Sequence, residues 1–101
     1  MSPDVKEDVV SRTEDDVDEP SMYNVYLHND DYTTMEFVVD ILMSVFGKPV
    51  EDAYGVMLKV HREGVGLCGV YTFEVAETKL NAVHRRAQED GFPLKCSMEE
   101  A

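Results

Sequence analysis

The chain has 101 residues, enough for one small domain, and a domain of this size favours a shallow surface pocket over a deep cleft between domains. Its 21 acidic residues outnumber the 9 basic residues and give a net charge of −12, which repels phosphate backbones and excludes ordinary nucleic-acid binding. No apolar run is long enough to span a bilayer, so we expect no membrane attachment and partners that are cationic, apolar or mixed.

The first twenty residues differ in composition from the rest of the chain. They carry eight acidic side chains against Lys6 and Arg12, and they include no aromatic residue and no sustained apolar period. This composition predicts a disordered acidic extension over residues 1–20 and a folded domain over residues 21–101. The same stretch lacks the apolar segment of a secretory signal and the basic character of a transit peptide, so we expect a cytoplasmic location.

The folded part is predicted to open with a strand and a helix, separated by a polar segment. Side chains alternate from Met22 to His28 with the period of a strand that has one face on the core. Thr33, with Glu36 three residues later, matches a capping box and predicts that a helix starts there. The helix is predicted to end near Phe46, just before a glycine and a proline.

Two further helices and two further strands complete the predicted domain. Pro49 opens a second helix that Gly64 closes. Residues 65–71 are apolar and β-branched but contain two glycines, which predicts a strand with a bulge or a close backbone approach. A third helix follows from Thr72, and the proline within residues 92–98 confines the last strand to an edge or a strand start. The order β-α-α-β-α-β predicts an α+β two-layer sandwich, with three helices covering one face of a three-stranded antiparallel sheet.

The polar segment after the first strand is the strongest candidate for a binding site. Asn29, Asp30 and Asp31 place three side-chain carbonyl groups in a row, and no Lys or Arg is nearer than Lys48. Such an excess of acceptors favours a cationic ligand, either an ammonium group or a metal ion. The same residue types are also preferred in turns, where their side chains bond nearby backbone N–H groups, so both interpretations stay open.

Among the three histidines, His61 is the one most suited to a site. It follows Met57 by one turn on the predicted inner side of the second helix. It is either a core histidine with a backbone partner or, if it faces the polar segment, a further polar group of the site. Since no second histidine lies three or four residues away, we predict no metal and no other cofactor. His28 and His84 are predicted to lie on the surface.

The two cysteines do not predict an enzyme. Cys68 and Cys96 are 28 residues apart and belong to no zinc-type cluster, which predicts two reduced, buried thiols. Burial makes a thiol a poor nucleophile because it raises the thiol pKa. A metal-dependent enzyme built on Asp30, Asp31 and His61 stays open as an alternative.

Six ordered motifs in the folded part match a known family. They make the chain, from Pro20 to Ala101, resemble the ClpS family, whose members are adaptors that deliver N-end-rule substrates to the Clp AAA+ protease. This resemblance implies the α/β sandwich shared with the C-terminal domain of the ribosomal stalk protein, and a monomer that is an adaptor rather than an enzyme. The motifs are Pro20-Ser21-Met22-Tyr23, Asn29-Asp30-Asp31-Tyr32-Thr33-Thr34-Met35-Glu36-Phe37-Val38, Met57-Leu58-Lys59-Val60-His61, Cys68-Gly69-Val70-Tyr71-Thr72, Glu74-Val75-Ala76-Glu77-Thr78-Lys79 and Pro93-Leu94.

The resemblance also implies roles for individual residues. In the ClpS family a pocket grips the first residue of proteins that begin with Phe, Leu, Tyr or Trp. By resemblance, Asn29, Asp31 and His61 contact the α-amino group, and Asp30 meets the backbone of the next residue. Met35 takes the position of the family's gatekeeper against side chains branched at Cβ. The walls around the first side chain would be Thr33, Met35, Val38, Met57, Val60 and Leu94.

A second surface is implied on the third helix. Glu74 and Lys79, predicted on its outward side, would dock onto the N-terminal domain of a ClpA-type AAA+ ATPase, and the acidic extension would assist hand-off. Without the resemblance, the same two residues fit a solvated helix face, and the fold fits a general acidic protein-interaction module. The chain departs from the family pattern at residues 53–56, where Gly55 costs the helix up to about 1 kcal/mol relative to Ala, and at His28 and Phe92.

Overall fold

Six elements follow one another along residues 20–101, the part of the chain that the computed structural model describes. The order is β-α-α-β-α-β, and the three strands form one antiparallel sheet in the order β2-β1-β3. Both the predicted order and the predicted fold class are confirmed. The predicted extension over residues 1–20 lies outside the described residues apart from Pro20. The elements are β1 Met22–His28, α1 Met35–Ser44, α2 Val50–Glu63, β2 Val65–Thr72, α3 Phe73–Asp90 and β3 Lys95–Glu100.

The central strand β1 fixes the register of the whole sheet. Its alternation is as predicted, because the Val25 and Leu27 side chains are 0% exposed while their neighbours in sequence face outward or lie half-buried. Val25 pairs with Gly69 of β2 and the next residue, Tyr26, pairs with Leu67, so one residue of β2 is left without a partner. The bulge predicted from the glycines of this strand is therefore present.

The start of α1 differs from the prediction by one residue. The N-cap is Thr34, whose hydroxyl oxygen accepts a hydrogen bond from the Phe37 N–H at 3.1 Å. Thr33 lies one residue before the cap, and its hydroxyl and N–H both donate to the Asp30 carboxylate, which directs its side chain back into the loop. The helix also ends at Ser44, two residues before the predicted end. The competing side-chain hydrogen bond, which the sequence pattern does not show, decides which threonine caps the helix.

The helices α2 and α3 end as predicted, at glycines with left-handed backbones. The φ angles are +90° at Gly64 and +78° at Gly91, values that a residue with a Cβ rarely adopts. On α3, Ala76, Val83 and Ala87 are buried, and the predicted inward Leu80 is half-buried against the same core. Within residues 20–101, no helix is both long and apolar enough to cross a membrane.

The two cysteines are buried, and two of the three histidines are half-buried. Cys68 and Cys96 are buried free thiols, as predicted, and burial raises the pKa of each to about 12. The prediction that His28 and His84 are surface histidines is wrong. His28 Nε2 lies 2.6 Å from Ser97 Oγ, and His84 Nε2 accepts a hydrogen bond from the Cys96 N–H at 3.0 Å. Both rings are half-buried, and each has a hydrogen-bond partner in the edge strand β3.

Candidate functional site

A cavity of about 230 Å³ opens between the loop that follows β1, the start of α1 and the end of α2. We call it the primary cavity. It has a polar rim, supplied mainly by the loop, and an apolar interior, supplied by the two helices. Every residue that lines it was proposed as a site residue from the sequence. The lining residues are Asn29, Asp30, Asp31, Thr33, Met35, Val38, Met57, Val60 and His61.

The Asp30 carboxylate stabilises the conformation of the loop by accepting hydrogen bonds from residues of the same loop. Its Oδ1 accepts hydrogen bonds from the N–H groups of Tyr32 at 2.8 Å and Thr33 at 2.7 Å, and its Oδ2 accepts one from the Thr33 hydroxyl at 2.7 Å. Burial by itself would raise the pKa of Asp30, but these hydrogen bonds to Thr33 and Tyr32 outweigh it and hold the pKa below its ordinary value. For Asp30, therefore, the turn interpretation of the polar segment is the correct one.

A backbone hydrogen bond brings His61 to the polar segment. The Asn29 N–H donates to the Gly64 carbonyl at 2.9 Å, which ties the loop after β1 to the end of α2. His61 lies just before that end, and its side chain is exposed on the cavity rim rather than buried in the core. Of the two interpretations of His61, the one that places it beside the polar segment holds.

Asn29, Asp31 and His61 complete the polar rim. All three are exposed, and within residues 20–101 none of their side chains is engaged in a hydrogen bond or an ion pair. An amide oxygen, a carboxylate and an imidazole can together accept several hydrogen bonds from one small donor. Such a rim suits a cationic group that carries several hydrogens, and an ammonium group has this chemistry. Within the described residues, no group of three His, Cys, Asp or Glu side chains is arranged to hold a metal ion.

The apolar side chains that line the interior of the primary cavity differ in exposure. Val38, Met57 and Val60 are 6%, 5% and 2% exposed and belong to the hydrophobic core. Met35, the first residue of α1, is 45% exposed. Because the buried side chains are held by the packing around them and the exposed thioether is not, Met35 is the apolar lining residue that can change shape most easily.

Three of the predicted site residues lie elsewhere. Leu94 does not line the primary cavity, because its side chain is 4% exposed and packs in the hydrophobic core just before β3. Glu74 is exposed in the first turn of α3. Lys79 is half-buried, and the prediction that it points outward is wrong, because its Nζ donates to the Val45 carbonyl at 2.9 Å. That bond ties the middle of α3 to the end of α1.

Sequence reasoning missed a second cavity beside the first. It lies on the other side of the methionines and has a volume of about 320 Å³. Its lining residues are Met35, Glu36, Val39, Tyr54 and Met57. The only signal in the sequence was Tyr54, an aromatic residue three positions before Met57 in a segment that departs from the family pattern.

Comparison with known proteins agrees with the family suggested by the motifs. Residues 18–97 match the statistical model of the family described as "ATP-dependent Clp protease adaptor protein ClpS". This chain belongs to the ClpS family. A ClpS adapter protein of Nitratidesulfovibrio vulgaris (strain DP4) is 61% identical over 100 residues, which cover 99% of this chain and 94% of that one. A ClpS adapter protein of Desulfatibacillum aliphaticivorans is 59% identical over 102 residues, covering 98% of each chain. The chain is therefore an adaptor of the Clp protease.

A solved structure of a ClpS protein shares the fold. It is Agrobacterium tumefaciens ClpS2 bound to L-phenylalaninamide, which superimposes with a TM-score of 0.80 at 37% sequence identity. The match covers 82% of this chain and 100% of that one. The ligand of that ClpS2 is an amino-acid amide with a free α-amino group and an aromatic side chain.

Proposed function

We propose that this ClpS protein binds proteins whose first residue is Phe, Leu, Tyr or Trp and delivers them to a Clp ATPase for ATP-dependent degradation. The observation that carries the proposal is that one cavity joins an acceptor rim to an apolar interior. A protein N-terminus with a large apolar side chain presents the complementary pair of groups within a single residue. The phenylalaninamide complex of the structural neighbour supports this assignment.

The rim recognises the α-amino group. With an ordinary pKa of about 7.7 to 8.0, that group is mostly protonated at neutral pH and offers three N–H donors. Asn29 Oδ1, the Asp31 carboxylate and the unprotonated nitrogen of His61 are its acceptors. Asp30 keeps the loop in shape, and the backbone of the second substrate residue passes beside it. Acetylation of the N-terminus removes the charge and two donors, so it abolishes binding.

The interior recognises the first side chain. Burying a Leu or Phe side chain contributes about 1.5 to 3 kcal/mol, and each charge-assisted hydrogen bond contributes about as much. After the cost of association, a net affinity of about micromolar remains, which allows an adaptor to release its cargo. Thr33, Met35, Val38, Met57 and Val60 surround the side chain directly, while Leu94 supports them from the core.

Delivery needs a second surface. We assign docking onto the N-terminal domain of a ClpA-type ATPase to α3, with Glu74 as the exposed contact and Lys79 as a second, half-buried residue. Lys79 also acts within the fold, because it holds the end of α1. The adaptor works as a cytoplasmic monomer, and the acidic extension over residues 1–20 assists hand-off.

A reconstituted degradation assay tests the proposal. A fluorescent protein that begins with Leu is incubated with a Clp ATPase, its peptidase and ATP, with and without the adaptor. We expect fluorescence to fall only when the adaptor is present, and not for a substrate acetylated at its N-terminus. Degradation of both substrates at equal rates would contradict the proposal.

A further inference from the structure

The primary cavity and the cavity beside it share two methionines. We call the second one the side cavity; it is lined by Met35, Glu36, Val39, Tyr54 and Met57. Met35 and Met57 line both cavities, and we call these two thioether side chains the partition. Of the two, Met57 is 5% exposed and held in the core, whereas Met35 is 45% exposed. Met57 is therefore the fixed side chain of the partition, and Met35 is the side chain that can move.

Moving Met35 is not costly. Its side chain has three rotatable bonds, and at nearly half exposure it gives up few packing contacts when it changes rotamer. The side cavity is the open space next to it. A rotation of the Met35 side chain toward Tyr54 would transfer volume from the side cavity to the primary cavity. The two cavities then act as one space whose division depends on the bound side chain.

We infer that Tyr54 determines which first residues this adaptor accepts, by limiting how far Met35 turns out of the primary cavity. The inference rests on the proposed function. The side chain of an N-terminal Trp is larger than that of Leu, so its binding depends more on the space that Met35 yields. Tyr54, on α2, lines the side cavity together with Met35, so a thioether that turns into this cavity has the Tyr54 ring as a neighbour that limits its rotation. Tyr54 is thus a positioning residue, since it acts on the ligand through Met35.

The test measures the affinities of peptides that begin with Leu and Trp for the full chain and its variants. For Tyr54→Ala we expect the affinity for the Trp peptide relative to the Leu peptide to rise about three- to tenfold, the range produced by relief of a strained rotamer. Tyr54→Phe keeps the ring, so we expect it to have the wild-type ratio of Trp-peptide to Leu-peptide affinity. Tyr54 is 50% exposed, so the variant loses little core packing. Leu58→Ala serves as the matched control, because Leu58 is exposed on the same helix and lines neither cavity.

A double-mutant cycle separates this mechanism from a general loosening of α2. In a Met35→Ala background the partition is already open, so adding Tyr54→Ala leaves the ratio of Trp to Leu affinities unchanged. An unaltered ratio in Tyr54→Ala alone, or the same rise in both backgrounds, would overturn the inference. If the wild-type chain bound neither peptide, the proposed function itself would fail, and the two failures are thus distinguishable.

Discussion

A Cβ atom on Gly66 would lie 2.7 Å from Cγ2 of Val60, so the bare backbone of β2 packs directly against a wall of the primary cavity. The same atom would lie 3.3 Å from the Val56 carbonyl oxygen. Gly66 is buried, and its missing side chain lets α2 come close to the sheet. The position of Val60, and with it the width of the cavity, therefore depends on a glycine in a different element.

Substituting Gly66 tests this relationship. We expect Gly66→Ala to lower the free energy of unfolding by about 1 to 3 kcal/mol, because the new methyl group forces β2 and α2 apart. The same change displaces Val60 and weakens binding of a Leu peptide. Urea unfolding and a peptide titration measure the two effects.

Gly55 is the matched control for that substitution. It lies inside α2, and a Cβ built there meets nothing within 4 Å. Gly55→Ala is therefore expected to raise the free energy of unfolding by about 0.5 to 1 kcal/mol, as Ala does in an unobstructed helix. If both substitutions changed the free energy of unfolding alike, the close approach of Gly66 to Val60 would not be what sets the distance between β2 and α2.

Asp30 makes the stability of the loop depend on pH. Its pKa is lower in the folded chain than its ordinary value, so its contribution to stability is present above pH 4 or so and is lost as pH falls through the folded pKa. We expect Asp30→Ala to lower the free energy of unfolding by about 1 to 2 kcal/mol at neutral pH. Unfolding of wild type and variant, compared at neutral pH and at about pH 3, should show the difference shrinking. If the difference in the free energy of unfolding between wild type and variant were the same at both pH values, the ionised form of Asp30 would not be what stabilises the loop.

Lys79 has a structural role in addition to the docking role proposed for it. Its Nζ donates to the Val45 carbonyl and lies 5.3 Å from the centre of the Tyr71 ring. Lys79→Ala is expected to lower the free energy of unfolding by about 1 kcal/mol. Glu74→Ala, at an exposed position, is expected to change it by less than about 0.5 kcal/mol. Chemical unfolding of each variant measures the effects.

Because Lys79 bonds within the fold and Glu74 is exposed, the two substitutions test docking differently. Glu74→Ala tests binding to the N-terminal domain of the ATPase without disturbing the fold, whereas a loss on Lys79→Ala could come through α1. A variant with both substitutions that still bound the ATPase domain with wild-type affinity would remove α3 from the docking surface.

Met35 is expected to exclude first residues that branch at Cβ. Met35→Ala opens the entrance, so the affinity for a peptide that begins with Ile should rise relative to the Leu peptide by about tenfold, the scale at which apolar pockets discriminate side-chain shape. Competition binding of the two peptides to wild type and variant measures the ratio. An unchanged preference for Leu over Ile would show that another wall excludes Ile.

The sequence predicted most of the fold because its local signals agree with one another. Alternation along β1, the glycines after α2 and α3 and the proline before β3 all survive in the structure. Side-chain hydrogen bonds account for the errors at individual residues. Lys79 and His84 are each held by a hydrogen bond to a different element, and such partners cannot be read from spacing along the chain, whereas Thr33 bonds within its own loop to Asp30, a local turn that competes with the capping pattern.

The site was only partly predictable from residue chemistry. The acceptors at Asn29 and Asp31 were visible, and His61 was a conditional candidate whose position depended on the bond between the Asn29 N–H and Gly64. Val38 and Val60 could not be distinguished from ordinary core residues, because they are core residues that also line a cavity. Their place in the cavity came from family resemblance, and the side cavity, which the resemblance does not describe, was missed.

The most direct measurement of the proposed function is fluorescence anisotropy of a labelled peptide that begins with Leu, compared with its N-acetylated twin and with a peptide that begins with Ile. His61→Ala is run in parallel; its exposed side chain makes no hydrogen bond within residues 20–101, so its loss removes a rim group without unfolding the domain. We predict binding of the free Leu peptide alone, at about micromolar affinity, with a loss of at least about tenfold in His61→Ala. Equal binding of the free and acetylated peptides would contradict recognition of the α-amino group.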